Sequence, residues 1–466
     1  MLFIKKSNIS WLSRLLAVLL IVAVIAIIWV LKDIVSILPD SKTEKDPTIT
    51  SVKIDSTNEL AKLLVDKFVV ARLPLKEKNN LLQAVNNSLQ HLQDTNHNQA
   101  LFLLQKLDLK ASVNYLIESV KEEENSRESA KTWVDIGNLQ QLQSSQLAVY
   151  AYKKASQFDA KNSNAWNKLG HFYRKQKQFT LAENAYSKVL ESSSDATTAQ
   201  AVALANFGLL YQAQGKSDKA EASYLKALAI NEVKKNTASL ASNNENLALL
   251  YKKKNDFELS EKHYLTTLTH YKTLEKSNSI ANIQSSLASL YHQYKHLDKA
   301  KQYYQMALEI YQNNDNQKKI ASSYSNLGIL NQQQGQADKA KEFFYKSLKI
   351  NQQIDQQQGI ADQYSHLGVL DRLQKKFTQS EPSHLKSLKI YQELQHLEGV
   401  SQQQTNLGFL YQAWGQTEKA CQYWLQSKQT LIEIQNKNRI KRIASLLEKH
   451  CANNKLKEKL IKSFRP

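Results

Sequence analysis

The first apolar pattern along the chain is an unbroken run near the amino terminus. Leu15 to Leu31 are 17 consecutive uncharged residues (LLAVLLIVAVIAIIWVL), flanked by Arg14 and Lys32. About 20 apolar residues cross the hydrocarbon of a bilayer, so this run predicts a transmembrane helix at 15–33 behind a short tail at 1–14. The residues after it offer no small-residue cleavage site, which favours an uncleaved anchor over a signal peptide.

The orientation of this anchor is nearly balanced by charge. Three basic residues lie on each side of the run: Lys5, Lys6 and Arg14 before it, and Lys32, Lys42 and Lys45 after it. The positive-inside rule therefore decides little. Because the tail is very short, we predict a cytoplasmic amino terminus and a periplasmic or extracytoplasmic chain, with the cytoplasmic side left open.

A polar linker and a helical region follow. Residues 34–56 contain two prolines and many small polar residues, which is typical of a solvated linker. From 57 to 129 the spacing becomes helical, with one apolar stripe at Leu75, Leu81, Leu82, Val85, Leu89 and Leu92. This stripe either dimerises or packs on the next helices, and we favour packing.

The region from 130 to 431 is an internal repeat. The segment NFGLLYQAQGKSDKAEASYLKAL, from Asn206 to Leu228, returns every 40 residues. Further copies begin at Asn246, Ser286, Asn326, His366 and Asn406. Two copies lie upstream, around Trp133 and Trp166, with a step of 34 residues from Ala148 to Ala182, and a degenerate copy is predicted around Ala111 and Tyr115. A period of this length predicts stacked helical units.

This array resembles the tetratricopeptide repeat family, whose unit is a helix pair with W-x2-L-G-x2-Y followed by A-x3-F. One copy matches this series at Trp166, Leu169, Gly170, Tyr173, Ala182 and Tyr186. The 40-residue copies are similar to the longer repeats of kinesin light chains and of bacterial proteins. The resemblance implies an all-α, right-handed superhelical solenoid of eight to nine helix pairs, preceded here by the transmembrane helix.

The glycines fit close helix packing. A small residue recurs on the first helix of each copy, where two backbones approach closely: Gly137, Gly170, Gly208, Ala248, Ala288, Gly328, Gly368 and Gly408. Large rings recur nearby and are predicted to pack between neighbours rather than to hold a cofactor. Gly215, Gly335 and Gly415 are predicted in the turn inside the pair, and Gly359 and Gly399 at helix ends with positive φ.

The family resemblance also implies a binding face. First helices line a concave groove in this class, and the residue two positions before the small one points into it. The corresponding residues are Asn206, Asn246, Asn326 and Asn406, interrupted by Ser286 and His366. An amide can donate to a peptide carbonyl and accept from a peptide N–H. The alternative interpretation is a polar surface residue that merely suits a helix.

Two further rows accompany these asparagines. One residue after the small position the side chains are mostly apolar: Leu209, Leu249, Ile329, Val369 and Phe409, with Ser289 as the exception. A turn further on lie Gln212, Lys252, His292, Gln332, Arg372 and Gln412, which predict a mildly basic rim. The predicted ligand is an extended protein or peptide segment with apolar and some acidic side chains.

Basic residues are concentrated at the carboxyl end of the chain. The chain has 62 Lys and Arg against 43 Asp and Glu, and residues 436–466 hold ten of these bases and two acids. Ile440, Ile443, Leu446 and Leu447 form an apolar stripe, so 432–466 is predicted to contain a helix that caps the last repeat. Its basic face is either solvated, which we favour, or touches anionic lipid, and nucleic acid is not expected.

No catalytic chemistry is predicted. The sequence lacks G-x-S-x-G, a glycine-rich phosphate loop and H-E-x-x-H, so we expect no enzyme, cofactor or metal. Two cysteines exclude a disulfide framework. Cys421 and Cys451 are candidates to pair only if the array is extracytoplasmic, and their distance is left open.

We therefore predict a single-pass protein of the inner or plasma membrane that recruits protein partners through its repeats. A self-associating or envelope-assembly protein is the alternative within the binding class, and homo-oligomers stay open. A secreted, host-directed effector is a further alternative.

Overall fold

The computed structural model describes residues 56–69, 73, 75–95, 97–122, 126–192 and 197–451, and these ranges contain 21 helices and no strand. The predicted all-α class is confirmed for them. None of these helices is long and apolar enough to cross a membrane. The predicted tail at 1–14 and anchor at 15–33 lie outside the described residues, as does the linker up to residue 55, so the anchor stays a prediction.

The chain divides into two units, of which the first ends at Leu116. It holds α1 (Thr57–Phe68), α2 (Leu75–Asp94), α3 (Asn98–Gln105) and the start of α4 (Leu109–Glu122). The stripe of α2 is buried at Leu81, Val85, Leu89 and Leu92, and α2 packs against α1 and α3. The favoured alternative, packing within the unit, is therefore confirmed.

The second unit contains eight helix pairs, called repeats 1 to 8, and one final helix. Repeats 1 to 4 are α5 (Ser126–Gln140) with α6 (Ser145–Phe158), α7 (Ser163–Lys175) with α8 (Phe179–Glu191), α9 (Thr198–Ala213) with α10 (Ser217–Val233), and α11 (Thr237–Lys254) with α12 (Phe257–Thr273). Repeats 5 to 8 are α13 (Ser277–Gln293) with α14 (Leu297–Asn313), α15 (Gln317–Gln333) with α16 (Ala337–Gln353), α17 (Gln357–Leu373) with α18 (Phe377–Glu393), and α19 (Leu397–Ala413) with α20 (Thr417–Glu433). The final helix is α21 (Lys437–Cys451).

The helices of the 40-residue repeats are longer than those of repeat 2. Both helices of repeat 2 have 13 residues, whereas α14 and α15 have 17. Four extra residues add about 6 Å to a helix, so the later repeats form a broader wall.

The small residues of the first helices hold the pairs together, as predicted. A methyl group added at Gly137, Gly170, Gly208, Gly328, Gly368 or Gly408 would come within 2.2–2.8 Å of a ring on the second helix. That ring is Tyr152, Tyr186, Tyr224, Phe344, His384 and Trp424 in turn, and all six are buried. The ring therefore occupies the volume that the missing side chain leaves.

The turns inside the repeats confirm one glycine prediction and correct another. Gly215, Gly335 and Gly415 have φ of 74–81°, which a glycine adopts at little cost. Gly359 and Gly399 were expected to have positive φ at helix ends, and this was wrong because they lie in the first turns of α17 and α19. A side chain there would overlap Asn351 or Tyr391 of the preceding helix.

First helices form one side of the array. Each contacts its own second helix, and direct contacts also join α7 with α9, α15 with α17, and α17 with α19. We call this side the inner face. The predicted right-handed twist of the array stays a prediction.

The predicted cap is α21, which packs on α20. Ile443 is buried, and Ile440, Leu446 and Leu447 pack against the core of repeat 8. Four basic side chains on the opposite side are exposed: Lys437, Lys441, Arg442 and Lys449. Cys451, at the end of α21, forms a disulfide with Cys421 of α20, so the two cysteines pair.

Candidate functional site

The four predicted asparagines lie on four first helices, at one position of each repeat. Asn206 is on α9, Asn246 on α11, Asn326 on α15 and Asn406 on α19, and all four are half-buried. Each comes two residues before the small residue that packs on the ring of the second helix. The helix pairing therefore repeats their orientation along the inner face, and we call this row the amide ladder.

The four asparagines of the ladder differ in whether their side chains are already hydrogen-bonded within the protein. Within the described part of the chain, the side chains of Asn206, Asn246 and Asn326 make no hydrogen bond. Asn406 is engaged, because its Nδ2 donates to Ser365 Oγ at 3.4 Å and its Oδ1 accepts from Gln402 Nε2 at 3.3 Å. Three of the four amides are thus left with donors and acceptors for a ligand.

The two residues that interrupt the ladder, Ser286 and His366, are both held by contacts within the protein. Ser286 Oγ donates to the backbone carbonyl of Asn282 at 3.0 Å. His366 stacks on Phe344 with ring centroids 5.0 Å apart, and burial lowers the pKa of its imidazole. His366 is therefore a neutral packing residue at neutral pH, and the ladder is broken at repeats 5 and 7.

Lys168 continues the ladder one repeat upstream and was missed by the sequence analysis. It lies on α7 two residues before Gly170, the place that Asn206 holds on α9. Burial lowers the pKa of its ammonium to about 8, and none of the described carboxylates pairs with it. The signal was present, since the copy KLGHFYRKQ begins at Lys168.

The apolar row is partly exposed beside the ladder. Leu249 is 45% exposed, and Leu209, Ile329 and Phe409 are half-buried. Phe409 also packs edge-on against Trp424 with centroids 5.6 Å apart. The row can therefore still bury apolar side chains of a ligand.

The predicted rim is only partly available. Gln212 Oε1 accepts from Tyr224 at 3.1 Å, and Lys252 Nζ donates to Ser289 Oγ at 2.9 Å. The side chain of Gln332 makes no hydrogen bond among the described residues. Arg372 has a buried Nε without a partner, and burial lowers the pKa of its guanidinium. Arg372 and Gln332 are the free members of this row.

The first helices are held in place by a contact that we call the inter-repeat clasp. A tyrosine on each of three first helices donates to a glutamate on the preceding second helix: Tyr211 to Glu183 at 3.1 Å, Tyr251 to Glu221 at 2.7 Å, and Tyr291 to Glu261. Tyr411 and Glu381 form the same pair in repeats 8 and 7. The repeat pattern predicts only packing for these aromatic residues and does not reveal their carboxylate partners.

Two junctions use other chemistry at the same positions. Between repeats 6 and 7, Lys341 Nζ lies 3.1 Å from Asp371 Oδ1, with the positive group on the second helix. At the last junction Cys421 and Cys451 take the two places and are covalently joined. Like most clasp pairs, these partners are 30 residues apart, and this spacing could have identified the disulfide.

The family comparison agrees with this architecture. The tetratricopeptide repeat family matches residues 162–232, 238–313 and 319–393. These residues are tetratricopeptide repeats, and the array is a solenoid of the tetratricopeptide repeat class. No curated protein matches the sequence.

Solved structures add likeness of fold. The signal-transduction ATPase with a tetratricopeptide repeat sensor from Pyrococcus horikoshii is 15% identical with a TM-score of 0.54, over 86% of this chain and 68% of that one. BtubC from P. vanneervenii is 26% identical over 48% of this chain and 92% of its own, with a TM-score of 0.42. The kinesin light chain-like repeats of Podosopora anserina are 15% identical over 42% and 97%, with a TM-score of 0.38.

Proposed function

We propose that the protein is a membrane-anchored adaptor whose inner face binds extended segments of partner proteins. The observation that carries the proposal is the set of three half-buried, unpaired amides, Asn206, Asn246 and Asn326. An extended peptide presents carbonyls and N–H groups alternately, and a carboxamide can satisfy both. A row of such amides binds the main chain of a ligand while leaving its sequence largely unspecified.

Side-chain recognition comes from the apolar row. Leu209, Leu249, Ile329 and Phe409 lie on the same first helices and keep exposed surface. Burial of apolar surface contributes about 25 cal/mol per Å², so a few apolar ligand side chains supply much of the affinity. The proposed activity is binding rather than catalysis.

The proposed location is a membrane surface, with the anchor at 15–33 and the repeats on the extracytoplasmic side. The apolar run supports the anchor. The Cys421–Cys451 disulfide supports the side, because disulfides persist in oxidising compartments and are rare in the cytosol. The exposed lysines of α21 add a weak contact with anionic lipid.

Affinity capture tests the binding proposal. The full-length chain in mild detergent is compared with a variant in which Asn206, Asn246 and Asn326 are all alanine. We expect the variant to lose partners that the original retains, with an unchanged helical circular dichroism spectrum. Asn406→Ala is the matched control, because that amide is already bonded inside the protein. Equal capture by all three proteins would exclude the ladder as the binding site.

Membrane fractionation tests the anchor. The full-length chain should stay with membranes in high salt and at alkaline pH, and a chain lacking 15–33 should be released. Protease added to intact cells or spheroplasts then reports the side, since an extracytoplasmic array is cleaved without lysis. Protection until lysis would place the repeats in the cytoplasm.

Self-association is the second candidate function. The second helices of repeats 3, 4, 6 and 7 carry an exposed apolar side chain at one shared position, with Leu225, Leu265, Tyr345 and Leu385 between 38% and 52% exposed; repeat 5 has Gln305 there. Repeated exposure at one position favours an interface over isolated surface residues. Sedimentation of the chain with Leu225, Leu265 and Leu385 changed to serine should show a smaller species if this row associates.

A further inference from the structure

At repeat 5 the inner face contains a cavity that the repeat pattern does not predict. In repeat 5 the apolar row is interrupted, since Ser289 stands where Leu209, Leu249, Ile329 and Phe409 stand elsewhere. A cavity of about 620 Å³ opens at this point. It is lined by Ser289, His292, Gln293, Lys295, Leu297 and Gln333. A small residue in a row of large ones thus coincides with space for a ligand side chain.

The polar groups at this cavity are mainly hydrogen-bond donors, with the Oε1 of Gln293 as an acceptor because its Nε2 donates to Asn255 Oδ1 at 3.3 Å. Lys252 Nζ reaches across from α11 and donates to Ser289 Oγ at 2.9 Å. His292 Nε2 and Gln333 Oε1 are 2.8 Å apart, so the amide NH₂ of Gln333 is left to donate elsewhere when its oxygen accepts. None of the six lining side chains is acidic.

The positive charge at the cavity is not neutralised within the described residues. Lys252 and Lys295 form no salt bridge there. Lys252 is half-buried, and loss of hydration lowers the pKa of its ammonium. An ammonium in such a place gains from an anion that replaces the lost water.

We propose that this cavity is a specificity pocket for the carboxylate of an aspartate or glutamate side chain in the bound peptide. The inference rests on the proposed function, because it assumes an extended peptide on the inner face. The pocket takes one acidic side chain while apolar side chains of the same peptide lie on Leu249 and Ile329, in the repeats before and after it. Charge complementarity identifies this occupant: the walls offer donors and the cation of Lys295, a second cation, Lys252, is bonded to the lining Ser289, and a carboxylate offers only acceptors.

Selection from a displayed library of random 12-residue peptides tests the pocket. The full-length protein should select peptides with apolar residues and an acidic residue at a fixed distance from them. Ser289→Leu fills the cavity with the residue that repeats 3 and 4 carry, so the fold tolerates it. This variant should select the same apolar pattern without the acid. Lys252→Gln together with Lys295→Gln should do the same.

Matched controls separate this inference from the proposed function. Lys253→Gln removes an exposed cation of the same helix and should keep the acidic preference. A synthetic peptide from the selection should bind the original protein about tenfold more weakly when its acid is alanine, and bind Ser289→Leu unchanged.

The outcomes are distinct. Selected peptides without an acid, or an acid that persists in Ser289→Leu, would overturn the pocket and leave the groove intact. If the original protein selects no peptide, the proposed function fails and the pocket with it.

Discussion

The junctions inside the array and the junction at its end use the same pair of positions with different chemistry. Inside, a first-helix tyrosine donates to a glutamate of the preceding second helix, as Tyr251 does to Glu221. At the end, Cys451 of α21 is bonded to Cys421 of α20. Most of these junctions therefore join the two positions, and by more than one chemistry. The junction of repeats 5 and 6 is an exception, because Asn331 donates instead to the backbone carbonyl of Leu327 in its own helix. The cap α21 is placed as the first helix of a ninth repeat would be.

The difference follows from what each first helix touches. An internal first helix is packed between the preceding second helix and its own, whereas the described contacts of α21 are the packing on α20 and side-chain hydrogen bonds to Gln402 and Gln412 of α19. Its apolar stripe is also narrow, with Ile443 as the one buried hydrophobic residue before Cys451. A covalent bond at the clasp position adds to this limited packing of α21 among the described residues.

Removing the disulfide has the largest expected effect. In the loop-entropy description, a bond that closes a loop of about 30 residues stabilises by roughly 3.5 kcal/mol. Cys421→Ser with Cys451→Ser, or a reductant, should release α21 while repeats 1 to 7 stay folded. Limited proteolysis followed by mass spectrometry should show cleavage within 437–451 only in the reduced or substituted protein. Equal protection in both forms would show that the apolar stripe alone holds the cap.

Breaking the charged junction has the next largest effect. Asp371 is 6% exposed and its partner Lys341 is 28% exposed. Lys341→Met leaves the carboxylate buried without a cation, which costs about 3 kcal/mol. Urea denaturation should show repeats 6 and 7 unfolding first. Lys341→Glu with Asp371→Tyr rebuilds the pair of the neighbouring junctions and should recover most of the loss; no recovery would show that the two positions do not act as a pair.

Acid should weaken repeat 7 before the other repeats. His384 replaces the ring that is tyrosine, phenylalanine or tryptophan elsewhere, and it is fully buried opposite Gly368. Burial lowers the pKa of its imidazole to about 4, from 6.5 when unfolded. A depressed histidine pKa means that the unfolded chain binds the proton more readily, so stability falls as pH drops below 6.5. The loss between pH 8 and pH 5 is about 2 kcal/mol.

His384→Phe provides the matched test. Repeat 6 already places Phe344 opposite Gly328, and Gln363, which is 40 residues before Gln403, has a buried Oε1 without a hydrogen bond. In the variant, Gln403 would lose its 3.0 Å contact with His384 and reach the same state. Thermal unfolding at pH 8 and pH 5 should then differ much less than in the original protein. An undiminished pH dependence would assign it to carboxylates such as Glu221.

The repeats could be predicted from the sequence because each unit uses the same packed pairs and turn residues at the same spacing. Gly208 and Tyr224 recur as a packed pair, and Gly215, Gly335 and Gly415 mark turns that need a left-handed residue. Gly359 and Gly399 were misassigned because a glycine near a helix boundary suits either a positive φ or a crowded side chain, and only the packing of Asn351 and Tyr391 distinguishes them.

The candidate site was less predictable. Asn246 and Asn406 share a motif, yet Asn406 meets Ser365 on the preceding first helix where Asn246 has Ala205 at the corresponding position. Whether an amide is free depends on such contacts between repeats, which a single motif does not contain. Lys168 and the cysteine pair could have been identified by comparing the residues at equivalent positions of successive repeats, rather than by searching for a motif. The cavity at Ser289 could not be predicted from the sequence, because a small side chain leaves a cavity only where the neighbouring side chains do not fill the space.

The smallest expected effect concerns one internal clasp. Tyr251→Phe keeps the buried ring and removes the 2.7 Å bond to Glu221, which also holds Lys254 at 2.6 Å. Because that lysine stays in place, the carboxylate is not left unpaired, and the loss should be about 1 kcal/mol. Tyr211→Phe, whose bond is longer at 3.1 Å, should lose less. A double-mutant cycle of Tyr251→Phe with Glu221→Gln measures the coupling. A coupling near zero would mean that ring packing, rather than the hydrogen bond, sets the junction, and the disulfide at the last junction would then be a separate device rather than a variant of the clasp.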